Sequence, residues 1–459
     1  MSSRIYLALF VLLATPVFLE AQWADVIGGA NNDILIDAVP VKGGGYLAVG
    51  YTTNNSAGLE DGWLVKLDAK GKVVWQKTYG GADKDFFRSI QAMSDGSYII
   101  AGSTLTWASG AQDVWLLKVN SGGAVVWQKT FGIKTSSFFD YKFYVSKTAK
   151  TAKGEVLICG NVSHTYESVT VDHIWCGLLK PTGAFVWTRL MDCDRGSENP
   201  LSTSVSSIRP TRDGGAVLVG STSPYEDSGD ENWDIWLAKL DSAGGLVWAK
   251  GYDQYADDDG DDVAETQEGD FLVIGDAGPD WKNKNIVAMK TDPEGAVLWQ
   301  KQYGTATEDG ACALVLPKEG GSFLACMSKF GYGTWTGWGL RLNTDGKILW
   351  QFLFRWKAGS ATYWEAIAQN VLEAADGGYI IAGYTSSKGS LWYNDGYILR
   401  MLSNGRVCAK ISKSAGAKVY PSGLSAVDVN LGSAGLTFAV KNTKATVISQ
   451  KIASADQCL

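Results

Sequence analysis

Residues 67–75 read LDAKGKVVW, and the same frame returns at 119–127 (VNSGGAVVW), 179–187 (LKPTGAFVW), 240–248 (LDSAGGLVW), 291–299 (TDPEGAVLW) and 342–350 (LNTDGKILW). Each copy places a turn residue seven positions before a tryptophan, a glycine four before it, and an apolar run leading into it. The turn residue is Asp or Asn in five copies and Lys180 in the sixth. With the glycine it fits a type I turn closed by a left-handed residue, after which the tryptophan opens a strand. The tryptophans are Trp23, Trp75, Trp127, Trp187, Trp248, Trp299 and Trp350, at intervals of 52, 52, 60, 61, 51 and 51 residues. Trp23 alone lacks the preceding frame. A period near 50 with one supersecondary unit per copy points to a propeller or a similar array.

Working outward from the frame, the same events recur between tryptophans. An alternating stretch such as FFRSIQAM (86–93) or ATYWEAIAQNVLEA (361–374) meets a Gly-rich turn: 43–45, Asp95-Gly96, Asp213-Gly214, Glu319-Gly320 or Asp376-Gly377. Such dipeptides tolerate positive φ and suit tight hairpins. An apolar run follows (YLAVG, YIIAG, EVLICG, AVLVG, FLVIG, SFLAC, YIIAG), as expected of a strand buried on both faces. A polar loop then leads to a third strand, such as DGWLVKLD or DIWLAKLD, and the tryptophan begins a fourth. Four antiparallel strands per unit make a propeller blade.

The fold class expected is all-β, a β-propeller of eight four-stranded blades. Seven full repeats fill 24–412, the last degenerate, with Ala409 where Trp belongs and Cys408 beside it. Three strand-like pieces in 413–459 (LSAVDV, LTFAV and ATVISQKI) lack a fourth strand, and 22–29 is a fourth strand without a blade. Pairing the two gives a composite closing blade and removes open sheet edges. Seven blades plus a docked tail is the alternative. Residues 22–459 thus form a single propeller domain.

The repeat, seen in YGGADKDFFRSIQAMSDGSYIIAGSTL and DVWLLKVNSGGAVVWQKTFG, resembles the tandem propeller repeats of secreted bacterial and archaeal proteins. Its D-x-x-G-x-x-x-W element is similar to the tryptophan-docking motif of eight-bladed quinoprotein propellers. The resemblance implies that each tryptophan stacks on the neighbouring blade. A quinone-dependent dehydrogenase would also carry an adjacent Cys-Cys pair, which this chain lacks, and that family's catalytic and calcium-binding residues match no position here. Only the fold carries over.

Composition narrows the function. The 459 residues are 46% hydrophobic and 19% charged, enough for a large core, and the formal charge is −7 with no basic cluster. That disfavours nucleic acid and anionic membrane surfaces as partners. Residues 1–21 read as a signal peptide, with Arg4 before an apolar stretch too short to span a bilayer. The mature chain is expected outside the cytoplasm, extracellular or periplasmic, with no membrane span, and monomeric.

Seven cysteines without a CxxC pair suit local disulfides: Cys159 with Cys176, Cys312 with Cys326 and Cys408 with Cys458, leaving Cys193 over. With only two histidines, His164 and His173, a zinc site or a Ser-His-Asp arrangement has little to draw on. Sequons at Asn54 and Asn161 fall where second-to-third loops are expected.

Two features could carry binding. The second-to-third loops hold aromatics in nearly every blade: Trp107, Tyr166, Tyr225, Trp233, Trp281, Tyr332, Trp335, Trp392 and Tyr393. Flat rings in polar loops suit stacking on a sugar or anchoring a protein, although they could equally cover blade edges. The acidic stretch DQYADDDGDD (253–262) alternates Asp257, Asp259 and Asp261, with Glu268 eleven residues after Asp257, faintly like a calcium loop. The Gly at position six of such a loop is replaced by Asp262. Asp261-Asp262 is also read as filling the slot of Lys84-Asp85 and Glu308-Asp309. No cofactor is expected, calcium being the one candidate. The leading functional expectation is a non-catalytic recognition or adhesion propeller for a glycan or an extracellular protein. Two alternatives stand beside it: an extracellular carbohydrate-active lyase or hydrolase using loop carboxylates, and a structural matrix component.

Overall fold

A computed structural model describes residues 23–456 except 55, 133–139, 167–168, 195–201, 224–232, 254–256, 281, 305–306, 330–333, 355, 359–361, 387–392, 406–411, 414–417, 422–424, 429, 435–438, 443–445 and 450–452. Among the described residues every regular element is a strand. Four-stranded antiparallel blades stand around a central axis, the first strand of each innermost. Blade 1 comprises Asp33–Pro40, Tyr46–Thr52, Asp61–Leu67 and Val73–Gly80. Five more follow in sequence order up to Ile348–Phe354, and blade 7 begins with Ile367–Glu373, Tyr379–Ser386 and Asn394–Met401. Seven apolar clusters each join two neighbouring blades, and one of them, built on Leu35, Trp63, Ile380 and Ile398, joins blade 7 to blade 1. The ring therefore closes with seven blades, not eight.

The closure uses both chain ends, in a different way from the composite eighth blade. Trp23–Gly28 is the outermost strand of blade 7, paired from Trp23↔Arg400 to Ile27↔Gly396. It supplies the strand and tryptophan that the degenerate last repeat lacks. The C-terminal segment does not stack into one sheet. Its seven short strands travel back around the perimeter, one per blade. Ser412–Lys413 pairs with blade 6, Lys418–Pro421 with blade 5, Ser425–Asp428 with blade 4, Asn430–Ala434 with blade 3, Ala439–Asn442 with blade 2 and Thr446–Ser449 with blade 1. The last, Ala453–Asp456, lies on Trp23–Gly28. Each adds a fifth strand to an outer edge that would otherwise present unpaired backbone groups.

The repeated frame explains the cohesion of the ring. In blade 1 the Asp68 carboxylate accepts the N–H groups of Lys70 (2.8 Å) and Lys72 (2.9 Å), and Gly71 takes φ 82°, which favours glycine. Gly71 also lies against the Trp23 indole, so closely that a Cβ there would overlap the ring. The same fit recurs at Gly183 on Trp127 and Gly244 on Trp187, and it ends at Gly405 on Trp350. Indole N–H groups donate across the seam: Trp23 to Ala69 O (3.1 Å), Trp127 to Pro181 O (3.2 Å) and Trp248 to Pro293 O (3.1 Å). Each tryptophan thus docks on the next blade's turn, as the resemblance implied, and seven tryptophans serve seven seams.

A second repeated device sits at the axis. Every innermost strand carries a bulge at the same register, between Leu35 and Asp37 in blade 1 and between Gly260 and Asp262 in blade 5. A bulge leaves one residue out of the ladder and re-aims it. In six blades the residue facing it on the second strand is the glycine that ends the apolar run. At Gly50 and Gly102 a Cβ would overlap the carbonyl oxygens of Ile34 and Phe86.

Candidate functional site

The bulged residues are Ile36, Arg88, Ser146, Ser206, Asp261, Cys312 and Gln369, and all seven line one central cavity of about 600 Å³. Each stands eight residues before the positive-φ glycine of its first hairpin, from Gly44 through Gly96, Gly154, Gly214, Gly269 and Gly320 to Gly377. The framework repeats, whereas this position holds six residue types in seven blades. Packing demands at the seams impose glycine and tryptophan; the cavity imposes no such uniformity.

Below the bulges, the next residue of several strands ties blades together. The Asp37 carboxylate accepts from the Ser89 hydroxyl (2.7 Å), the Ile90 N–H (3.0 Å) and the Asn370 amide, linking blades 1, 2 and 7. Asp262 accepts from the Ser207 hydroxyl (2.6 Å), Arg209 (2.7 Å) and the Leu314 N–H (3.1 Å), linking blades 4, 5 and 6. Burial alone would raise Asp262, but the Arg209 charge and these donors outweigh it and hold the carboxyl below its usual range. Asp262 is a fastener.

From Asp257 onward the acidic stretch is not a loop. Asp257–Glu265 is the innermost strand of blade 5, with Asp257, Asp259 and Asp261 on one side of it. Register places Asp258, not Asp262, in the slot of Asp85 and Asp309, three residues before the bulge. Glu268 lies beyond the far end of that strand, roughly 30 Å along the chain from Asp257 at the usual rise per residue, so the two cannot share a calcium ion in a loop. The cation set against the trio is Lys284, whose ammonium lies 2.9 Å from Asp257 and 3.4 Å from Asp276 and also contacts Asp259. Burial raises both Asp261 and Asp276, Asp276 to about 6, and the nearby Asp259 carboxylate pushes both in the same direction. A second acidic group, missed in the sequence, brings Asp234, Asp253 and Asp258 within 4.8 Å of one another at the seam of blades 4 and 5.

The described loop aromatics differ in burial and contacts. Trp107 packs on Trp115 with ring centroids 5.1 Å apart and belongs to the core between blades 1 and 2. Trp335 is half-buried, with the Lys329 ammonium 4.6 Å from its ring centre. Trp233 is half-buried, and its carbonyl accepts the Asp258 N–H at 2.7 Å. Tyr393 is 40% exposed. Tyr225, Trp281, Tyr332 and Trp392, and the side chain of Tyr166, lie outside the described residues. Aromatics that sequence reasoning passed over, Phe86 and Tyr144, line the cavity instead, and Tyr51 meets Phe86 edge-on at 5.2 Å. Their signal was register: each stands two residues before a bulge.

Other expectations resolve plainly. Cys159 and Cys176 face each other across two strands, and Cys312 adjoins the Ala311↔Cys326 pair, yet all four are free thiols. Burial pushes these thiols up, Cys176 to about 12, which keeps them protonated. Cys408, Cys458 and the Cys193 side chain lie outside the described residues, as does 1–21. Asn54 is buried, its amide donating to Asp33 at 2.7 Å, and Asn161 is within the strand Val156–Tyr166 and lines the cavity. Asn54 thus falls in the second-to-third connection as expected, although buried, whereas Asn161 does not. His164 and His173 sit in the long blade 3 hairpin. No helix among the described residues is long and apolar enough to cross a membrane.

The architecture is that of a repeat-built, seven-bladed β-propeller. No protein-family model matches the chain, and no curated protein does. Among solved structures it is similar to the polysaccharide lyase Uly1, at 11% identity over 78% of this chain and 88% of that one, TM-score 0.43. A puromycin hydrolase mutant in complex matches at 14% identity over 84% of this chain and 53% of that one, TM-score 0.45. An endo-arabinase from Bacteroides thetaiotaomicron matches at 11% identity over 68% of this chain and 92% of that one, TM-score 0.31.

Proposed function

We propose that this is an exported, non-catalytic recognition propeller that binds a glycan in its central cavity. One observation carries the reading: seven innermost strands aim a varied set of side chains into one cavity while the surrounding framework repeats. The cavity is large enough for a small ligand and pairs aromatic faces (Phe86 and Tyr144) with amide and hydroxyl groups (Gln112, Asn161, Ser103). Rings against sugar faces and amides against hydroxyls are the usual division of labour in polar-ligand sites. Of the loop rings first considered, Trp107 is committed to the core, which moves the emphasis from the rim to the axis.

A glycan array with the mature chain tests this. Binding that weakens at least tenfold in Phe86→Ala and Tyr144→Ala, with Trp335→Ala unaffected, is the expected result. Binding lost only on replacing the rim rings would return the site to the loops.

A second reading is an extracellular carbohydrate-active enzyme, favoured by Asp261 on the cavity wall, whose carboxyl is raised by burial and by the neighbouring Asp276 and Asp259 toward the protonated form a general acid needs. Turnover of a polysaccharide panel that vanishes in Asp261→Asn would establish it over simple recognition.

A further inference from the structure

We infer that the glycan is acidic and that its carboxylate docks on Arg88 in the channel. The inference rests on the channel being the glycan site and adds its charge. Arg88 is the bulged residue of blade 2, exposed within the cavity, and no carboxylate among the described residues lies within ion-pair distance of it. Lys147, on the adjoining wall, gives its ammonium to a neutral partner, the Asn370 side-chain oxygen at 3.0 Å.

The carboxyls that line the same cavity are otherwise engaged. Asp37 accepts from Ser89, Ile90 and Asn370, and Asp261 stands beside Asp276 and Asp259 on the blade 5 side. Lys84 is already paired with Glu60 at 3.3 Å. The cavity-lining residues of blades 2 and 3 include Lys84, Arg88 and Lys147 and no carboxylate, in a chain whose formal charge is −7. A cationic wall in a protein of net negative charge draws an anionic group to that side of the recess. The carboxylates of blade 5 gather around Lys284 on their own side of the recess and offer acceptors for hydroxyls.

A guanidinium presents a planar fork that matches a carboxylate in two parallel hydrogen bonds. Phe86, two residues before Arg88, sets an aromatic face beside that fork. A uronate-bearing saccharide satisfies both at once: carboxylate to Arg88, ring face to Phe86.

The test is calorimetric titration of the mature chain with three probes: oligouronates (galacturonate, alginate and hyaluronan fragments), sulfated carrageenan fragments, and neutral galactan fragments. The expected result is oligouronate binding that falls at least tenfold in Arg88→Ala, is partly restored in Arg88→Lys, and weakens with salt, at an unchanged melting temperature. Galactan binding of equal strength, indifferent to Arg88→Ala, would overturn the acidic-ligand inference and leave the channel reading standing. Arg88-dependent binding of the sulfated fragments alone would overturn the carboxylate assignment. If no probe binds, the inference and the channel reading fall together.

Discussion

The residues that matter most to this fold are glycines and buried carboxyls, and each can be tested singly. Gly71 combines a left-handed φ of 82° with direct contact to the Trp23 indole at the point where the ring closes. Gly71→Ala is expected to cost about 2–3 kcal/mol, from the conformational strain and the displaced ring together. A denaturant midpoint equal to that of the natural chain would refute the docking role. Asp276 behaves differently. Burial raises its carboxyl to about 6, so the folded chain holds a proton there that the unfolded chain, near the ordinary carboxylate value, has already lost. Its stability contribution is full at low pH and disappears as pH rises through about 6. Asp276→Asn removes that group's share of the dependence, so between about pH 4.5 and pH 7.5 the variant should lose less stability than the natural chain. Thermal melts across that range check the sign. The glycine frame was plain in the sequence. The carboxyl cluster of Asp261 and Asp276 was not, because it is assembled only across paired strands.

At the scale of elements, the hairpins and strands follow from local chemistry. The Asp-x-x-Gly turn, the apolar second strand and the tryptophan strand were all read in place, because turn φ values and burial patterns are local properties. The acidic strand of blade 5 was misread as a loop, since six aspartates suggest solvent. What makes Asp257–Glu265 a strand is its partner, Phe271–Gly278, and a cavity wall that tolerates polar side chains. The perimeter strands are the other surprise. A chain ending after Gly405 should lose the fifth strand of every blade and expose seven outer edges. Its melting temperature should fall, and light scattering should show concentration-dependent association. A monomer of unchanged stability would mean that the perimeter strands contribute nothing to the ring.

At the scale of the molecule, closure is the deciding event. Trp23–Gly28 completes blade 7 on one side and receives Ala453–Asp456 on the other. Removing residues 22–29 should leave blade 7 with an open third strand and an undocked Gly71, and calorimetry should show loss of a single cooperative transition. Retention of that transition with the same melting temperature would show that the ring closes without the N-terminal strand. The sequence by itself determined the repeat, the four-strand unit, the turn glycines and the docking tryptophans, because each is set by contacts within one unit or between a unit and an identical neighbour. Seven tryptophans even contained the blade number, once Trp23 is assigned to the last repeat. Only the tertiary structure decided the closure, the path of the C-terminal strands and the cavity. Those depend on pairing between segments far apart in the chain and on seven bulges converging at one axis, and no local pattern encodes that meeting.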